Sequence, residues 1–166
     1  LGVGFSPNMF KWAFTARLAS QTIDDETAFG FLVDGGVSVL LNKYTAFGAT
    51  ITNAGYVTAY DSKHEVPPTA LQSGITLQIP NVSIFDFALH ADLYRRADSD
   101  MHFFSGLEIA YLKILVLRVG YAVRPDTEDG VSGGLGVCFG GISVDYAYEA
   151  NPSLGGNHHL RLGLAF

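Results

Sequence analysis

Strand alternation would gather nine charged or titratable residues on one face: Arg17, Asp34, Asp86, His90, Asp92, Glu108, Arg118, Asp145 and Arg161. Such groups on an enclosed face can pair and fill it, since a charge withdrawn from bulk water needs a partner. They can also line a lumen and select what moves through it. Opposite signs fall on neighbouring strands: Arg17 with Asp34, Glu108 with Arg118, Asp145 with Arg161. A balanced set of this kind predicts interior pairing ahead of a one-signed filter.

Other chemistry has less footing. His158-His159 suggests a metal, but adjacent strand residues face opposite ways, so no metal site is predicted. Ser132-Gly133-Gly134 and Gly133-Gly134-Leu135-Gly136 look like glycine motifs, yet no helix follows to receive a phosphate. His90 with Ser83 or Ser143 is the available base and nucleophile, and no Gly-x-Ser-x-Gly elbow is present. No catalytic residue and no cofactor are predicted, and the chain reads as a non-enzyme. Cys138 is the sole cysteine, which precludes an intrachain disulfide and a thiolate cluster.

Composition narrows the class. The chain has 166 residues, 48% hydrophobic and only 16% charged; soluble domains are about 25% charged. Lysine occurs only at Lys11, Lys43, Lys63 and Lys113. A net charge of −6 argues against a nucleic-acid partner. The length suits one domain over 1–166. No run of apolar residues is long enough for a transmembrane helix, which leaves a closed barrel as the remaining route across a bilayer. No signal peptide is visible, and Leu1–Phe5 reads as the end of a strand, so a mature or truncated segment is expected.

Period-two alternation recurs along the chain. Trp12, Phe14 and Leu18 oppose Lys11, Thr15 and Arg17; Phe29, Phe31 and Val37 oppose Gly30, Asp34 and Gly36. The same pattern covers 47–52, 71–79, 85–94, 107–111, 115–122, 131–139 and 142–148. It ends on Leu160, Leu162, Leu164 and Phe166 opposite His159, Arg161 and Gly163. About ten strands are predicted. Longer polar connections are expected around Ile23–Glu26, Gly55–Pro68, Arg96–Met101, Pro125–Gly130 and Asn151–Asn157. Tight turns are expected at Lys43-Tyr44, Pro80-Asn81-Val82, Lys113-Ile114 and Gly140-Gly141. Such alternation, with acidic residues concentrated in the long connections, matches the external loops and periplasmic turns of a membrane barrel.

The polar set is thin, mostly Gly, Ala, Ser and Thr with isolated charges, and lacks the Lys and Glu coat of a solvated face. The apolar set is bulky on every strand. The prediction is therefore inverted relative to a soluble barrel: apolar side outward to lipid, polar side inward. Tyr111, Tyr121, Tyr146, Tyr148 and Trp12 suit interfacial girdles. A soluble lipid-binding sandwich is the alternative.

Several segments carry a family resemblance. Phe47-Gly48-Ala49-Thr50-Ile51-Thr52-Asn53-Ala54-Gly55 resembles a conserved strand of PorV/PorQ-type barrels in the FadL-like superfamily, the long-chain fatty acid transporters. Pro67-Pro68-Thr69-Ala70-Leu71, the segment from Glu108 to Tyr121, the segment from Gly134 to Tyr148, and Leu154 through Gly163 resemble later motifs in the same order. A final strand ending on Phe166 is similar to the usual ending of such barrels. The resemblance implies an all-β, transmembrane, antiparallel up-and-down β-barrel of about fourteen strands, of which this chain supplies the C-terminal portion without the N-terminal hatch. It implies the bacterial outer membrane, lipid as partner, and the barrel assembly machinery reading Leu162, Leu164 and Phe166 as an assembly signal. It implies passage of fatty acids or other hydrophobic compounds, or else a PorV-like role as membrane anchor of a secretion complex.

Overall fold

A computed structural model describes residues 2–5, 9–23, 26–58, 67–125, 129–150 and 155–164. The acidic positions Asp24, Asp25, Asp61, Glu65, Asp126 and Glu128, and the terminal Phe166, lie outside the described residues. The described chain is all β: β1 (Gly2–Phe5), β2 (Phe10–Ile23), β3 (Glu26–Leu40), β4 (Thr45–Val57), β5 (Ala70–Val82), β6 (Phe85–Arg96), β7 (Met101–Tyr111), β8 (Leu115–Val123), β9 (Gly130–Phe139), β10 (Ile142–Glu149) and β11 (Asn157–Leu164). The ten predicted strands are present, and β1 is the strand end predicted at the start of the chain. They pair antiparallel in chain order as one up-and-down sheet. β1 and β11 are its edges; among the described residues no pairing joins them and the sheet is not closed. From β2 onward the strands run from 8 to 15 residues, beyond the mode of about five or six in globular sheets.

Turn chemistry explains the hairpins at one end. Gly140 and Gly141 both have positive φ, 61° and 82°, which a two-residue type I′ hairpin requires and glycine accepts without strain. Leu112 and Lys113 occupy the same region at 52° and 59°. The Asn42 side-chain oxygen accepts from the amides of Tyr44 and Thr45 and closes the β3–β4 turn. Two boundaries differ from the prediction. The β5–β6 turn sits at Ser83-Ile84, because β5 continues through an irregularity between Ile79 and Val82; Pro80 falls there, where its missing N–H interrupts the ladder. The expected long loop at Ile23–Glu26 is short: those two residues are register partners, and only 24–25 intervene. Of the remaining connections at that end, 58–69, 124–129 and 150–156 are longer than the opposite turns at 41–44, 83–84, 112–114 and 140–141, while 97–100 is only as long as 41–44.

Exposure runs opposite to hydrophobicity. Along β10, Ile142, Val144, Tyr146 and Tyr148 are exposed while Ser143, Asp145, Ala147 and Glu149 are partly covered. The large apolar side chains of β3 to β10 show the same bias, with Phe29 and Val119 at 60% exposure, whereas β2 and the edge strand β11 are largely exposed on both faces. Among the described residues the buried hydrophobic ones are Ala28, Ala70, Ala88 and Ala122, and all four alternate with the apolar set. Small and charged residues thus share the sheltered side, hereafter the inner face. Bulky apolar residues share the open outer face. No second layer of described residues covers that outer face.

Candidate functional site

The inner face is organised by three arginines that each reach past an adjacent strand. Arg118 on β8 donates Nε to Glu108 Oε2 on β7 at 2.7 Å. Its Nη1 donates to Asp145 Oδ1 on β10, also at 2.7 Å. Strands lie about 4.8 Å apart, so β8 and β10 are separated by roughly 9.6 Å. The reach is open because β9 presents Gly134 opposite Arg118 and Gly136 beside it. A Cβ on Gly136 would sit 2.5 Å from Asp145 Oδ1 and 3.2 Å from Arg118 Nη1.

The arrangement repeats nearer the long connections. Arg124, just beyond β8, donates Nη2 to Glu149 at the end of β10. It passes Gly130, the first residue of β9, where a Cβ would lie 3.1 Å from Arg124 Nη1. On the other flank Arg17 of β2 donates Nη2 to Asp34 Oδ1 on β3 at 2.7 Å and to Asn53 Oδ1 on β4 at 2.6 Å.

Asn53 marks a bulge. The β3–β4 register shifts between Val33 and Gly35, so two β4 residues oppose Asp34. Asn53 has φ 55°, a region Asn tolerates better than most residues. Its amide donates to Asp34 Oδ1 at 2.7 Å and its side-chain nitrogen to Pro68 O at 3.3 Å. β5 pairs with β4 only as far as Thr52. Beyond it the described residues of β4 and β5 form no ladder, and the links there include Asn53 Nδ2 to Pro68 O and Thr69 Oγ1 donating to Asn53 O at 3.0 Å.

The other predicted inner residues are placed on the same face. His90 Nδ1 shares a hydrogen bond with Thr76 Oγ1 at 3.0 Å. Asp92 packs over Gly74, and Asp86 stands opposite Ala110. One predicted pair is not formed: Arg161 faces Asp145 across the β10–β11 register, but the carboxylate is bonded to Arg118. A pairwise reading of adjacent strands misses this, because it ignores a long arginine crossing a glycine strand. It also misses Asn53, Arg124 and Glu149. Inward parity of Arg124 and Glu149, with Gly130 between them, is the signal that would find that pair. His158 and His159 take opposite faces; His158 shares a hydrogen bond with the Tyr146 hydroxyl at 2.7 Å on the outer side.

Two carboxylates outside the strands are tuned by neighbours. The Tyr121 hydroxyl donates to Asp129 at 2.8 Å, and the Arg124 amide donates at 3.1 Å. Together they hold the Asp129 carboxyl below its usual range. Arg96, hydrogen-bonded to Asp98, lowers that carboxyl too.

A concavity of about 950 Å³ lies on the outer face over β2 to β7. Its walls include Trp12, Phe14, Ile51, Leu71 and Leu93, and Arg95 and Met101 stand at one end. It lies beside the β3–β4 bulge, since Gly35 and Ile51 are the register pair next to the shift. On the inner face, one cavity of about 370 Å³ is lined by His90 and the Arg118 cluster, and another of the same size by Thr76 and Asp92.

No protein-family model and no curated protein matches the chain.

Proposed function

We propose that this chain is part of a bacterial outer-membrane β-barrel of the FadL-like kind, with the bulky face against lipid and the charged face toward a lumen. The observation that carries the reading is the inverted exposure on strands β3 to β10. In a soluble sandwich the bulky face would need a second sheet or helices over it. In a bilayer the hydrocarbon itself satisfies that face. Closure to about fourteen strands would remove the open edges of β1 and β11. Tyr111, Tyr121, Tyr146 and Tyr148 are exposed on the outer face, as interfacial anchors should be.

Within that class the proposed activity is passage of fatty acids or other hydrophobic compounds across the outer membrane. The end of the β4–β5 ladder at Thr52 and the bulge at Asn53 support a wall that admits such a molecule sideways. The second reading, a PorV-like anchor for a secretion complex, is favoured by the arginine bridges, which occupy the inner face with paired charge.

The first test is cell fractionation with gel migration before and after boiling. Outer-membrane material that shifts on boiling is expected; a soluble, non-shifting protein would revive the sandwich. Uptake of a labelled long-chain fatty acid by cells expressing the full-length gene product then separates passage from anchoring. Uptake equal to that of cells lacking it, together with stably co-purifying proteins, would favour the anchor.

A further inference from the structure

We propose that the concavity on the outer face binds one acidic, phosphate-bearing lipid of the surrounding leaflet, its acyl chain laid across the strands and its phosphate on Arg95. The proposal rests on the reading that this face meets lipid.

The floor of the groove is where the bulky outer pattern lapses. Three successive strands place small residues there: Gly35 on β3, Ala49 on β4 and Ser73 on β5. Ala49 and Ser73 are register partners, and Gly35 lies one outer-face position from Val37, the partner of Ala49. Trp12 and Phe14 close the β2 end, and Leu71 and Leu93 form the opposite walls. From β2 to β7 the trough crosses five inter-strand steps, about 24 Å. That is a long, narrow, apolar shape, suited to a linear acyl chain more than to a compact ligand.

The head-group end is chemically distinct. Arg95 is the last outer-face residue of β6 and belongs to the groove lining. It is exposed and makes no ion pair among the described residues, whereas neighbouring Arg96 is bound to Asp98. At a strand end a guanidinium sits at the bilayer interface, where it costs little and can snorkel to the phosphate level. Its planar fork matches a phosphate in a bidentate manner. An apolar trough with an unpartnered cation at its interfacial end is complementary to an acidic lipid.

The experiment uses the detergent-solubilised protein, titrated separately with phosphatidylglycerol, phosphatidylcholine and oleate, with bound lipid counted by native mass spectrometry. The wild type is expected to retain one phosphatidylglycerol about tenfold more tightly than phosphatidylcholine. Arg95→Gln is expected to abolish that preference. Ala49→Leu and Ser73→Leu, which fill the floor with residues lipid accepts, are expected to weaken both lipids by about tenfold or more. All three variants should keep the boiling-dependent gel shift of the wild type. Equal retention of the two phospholipids, or filled-floor variants that bind as the wild type does, would overturn the proposal while the shift preserved the barrel reading. Arg95-dependent displacement of phosphatidylglycerol by oleate would overturn it in favour of a cargo site. Loss of the gel shift in the wild type would remove the barrel reading and this proposal together.

Discussion

Arg118 on β8 is hydrogen-bonded to Asp145 on β10, Nη1 to Oδ1 at 2.7 Å, across the whole width of β9. The contact exists because β9 offers glycine at Gly134 and Gly136 where other strands offer side chains. It ties three consecutive hairpins together on the inner face, since the same guanidinium holds Glu108 on β7.

Gly136→Val should break that bridge. Its Cβ would compete directly with Asp145 Oδ1 and Arg118 Nη1, and overpacking of this kind costs about 1–3 kcal/mol. The bridge itself is partly exposed, so Asp145→Asn should cost about 1 kcal/mol or less. A double-mutant cycle of Arg118→Leu with Asp145→Asn, read by urea unfolding from vesicles, should show positive coupling. Additive effects would mean that the contact carries no stability.

The face assignment is tested by two adjacent arginines. Leu117 is on the outer face at 48% exposure, and Val116 is its inner-face neighbour, opposite Gly136. Leu117→Arg should cost about 2–4 kcal/mol if it meets mid-bilayer lipid. Val116→Arg should cost less, because its side chain enters a polar space beside glycine. Unfolding free energies that agree within error would sink the inverted reading.

Gly55→Ala should disrupt the β3–β4 edge of the bulge. A Cβ at Gly55 would overlap the Phe31 carbonyl oxygen and come within 3.0 Å of Leu32 Cα. Both obstacles are backbone, so no rotamer change relieves them. We expect a smaller fraction of folded, heat-shifting protein and faster proteolysis at 58–69. Wild-type yield and protease resistance would show that the two strands separate easily.

Acid should loosen the β8–β9 connection. The Tyr121 hydroxyl and the Arg124 amide stabilise ionised Asp129, so its folded pKa lies below the unfolded one. Its contribution is therefore complete above the ordinary carboxylate range and is lost as pH falls through the folded value. Amide exchange at Arg124 should accelerate below about pH 4 in the wild type. In Asp129→Asn it should be fast already at neutral pH and respond less to acid. A wild-type profile flat to low pH would remove Asp129 from this role.

Much of the wall was legible from alternation alone. A side-chain period of two is a local property of extended backbone, so Phe85, Phe87 and Leu89 against Asp86, Ala88 and His90 declare their faces without knowledge of any partner strand. Gly140-Gly141 likewise declares its hairpin, because positive φ at both positions is a local demand. The turn at Ser83-Ile84 was not legible: Pro80 looked like a terminator, but β5 absorbs it as an irregularity within the strand.

The inner face was legible as a set and not as a network. Its predicted members share one side because parity puts them there, and the Arg17–Asp34 and Glu108–Arg118 pairs follow from neighbouring strands. Asp145 chose Arg118 over its register partner Arg161 because register fixes backbone neighbours while a guanidinium on a long stem samples two strand widths. Which strand it crosses depends on how much side chain lies between, and that is a property of the assembled sheet. The same holds for the outer groove. Gly35, Ala49 and Ser73 are unremarked small residues along the chain; only the pairing of β3, β4 and β5 brings them side by side under Arg95.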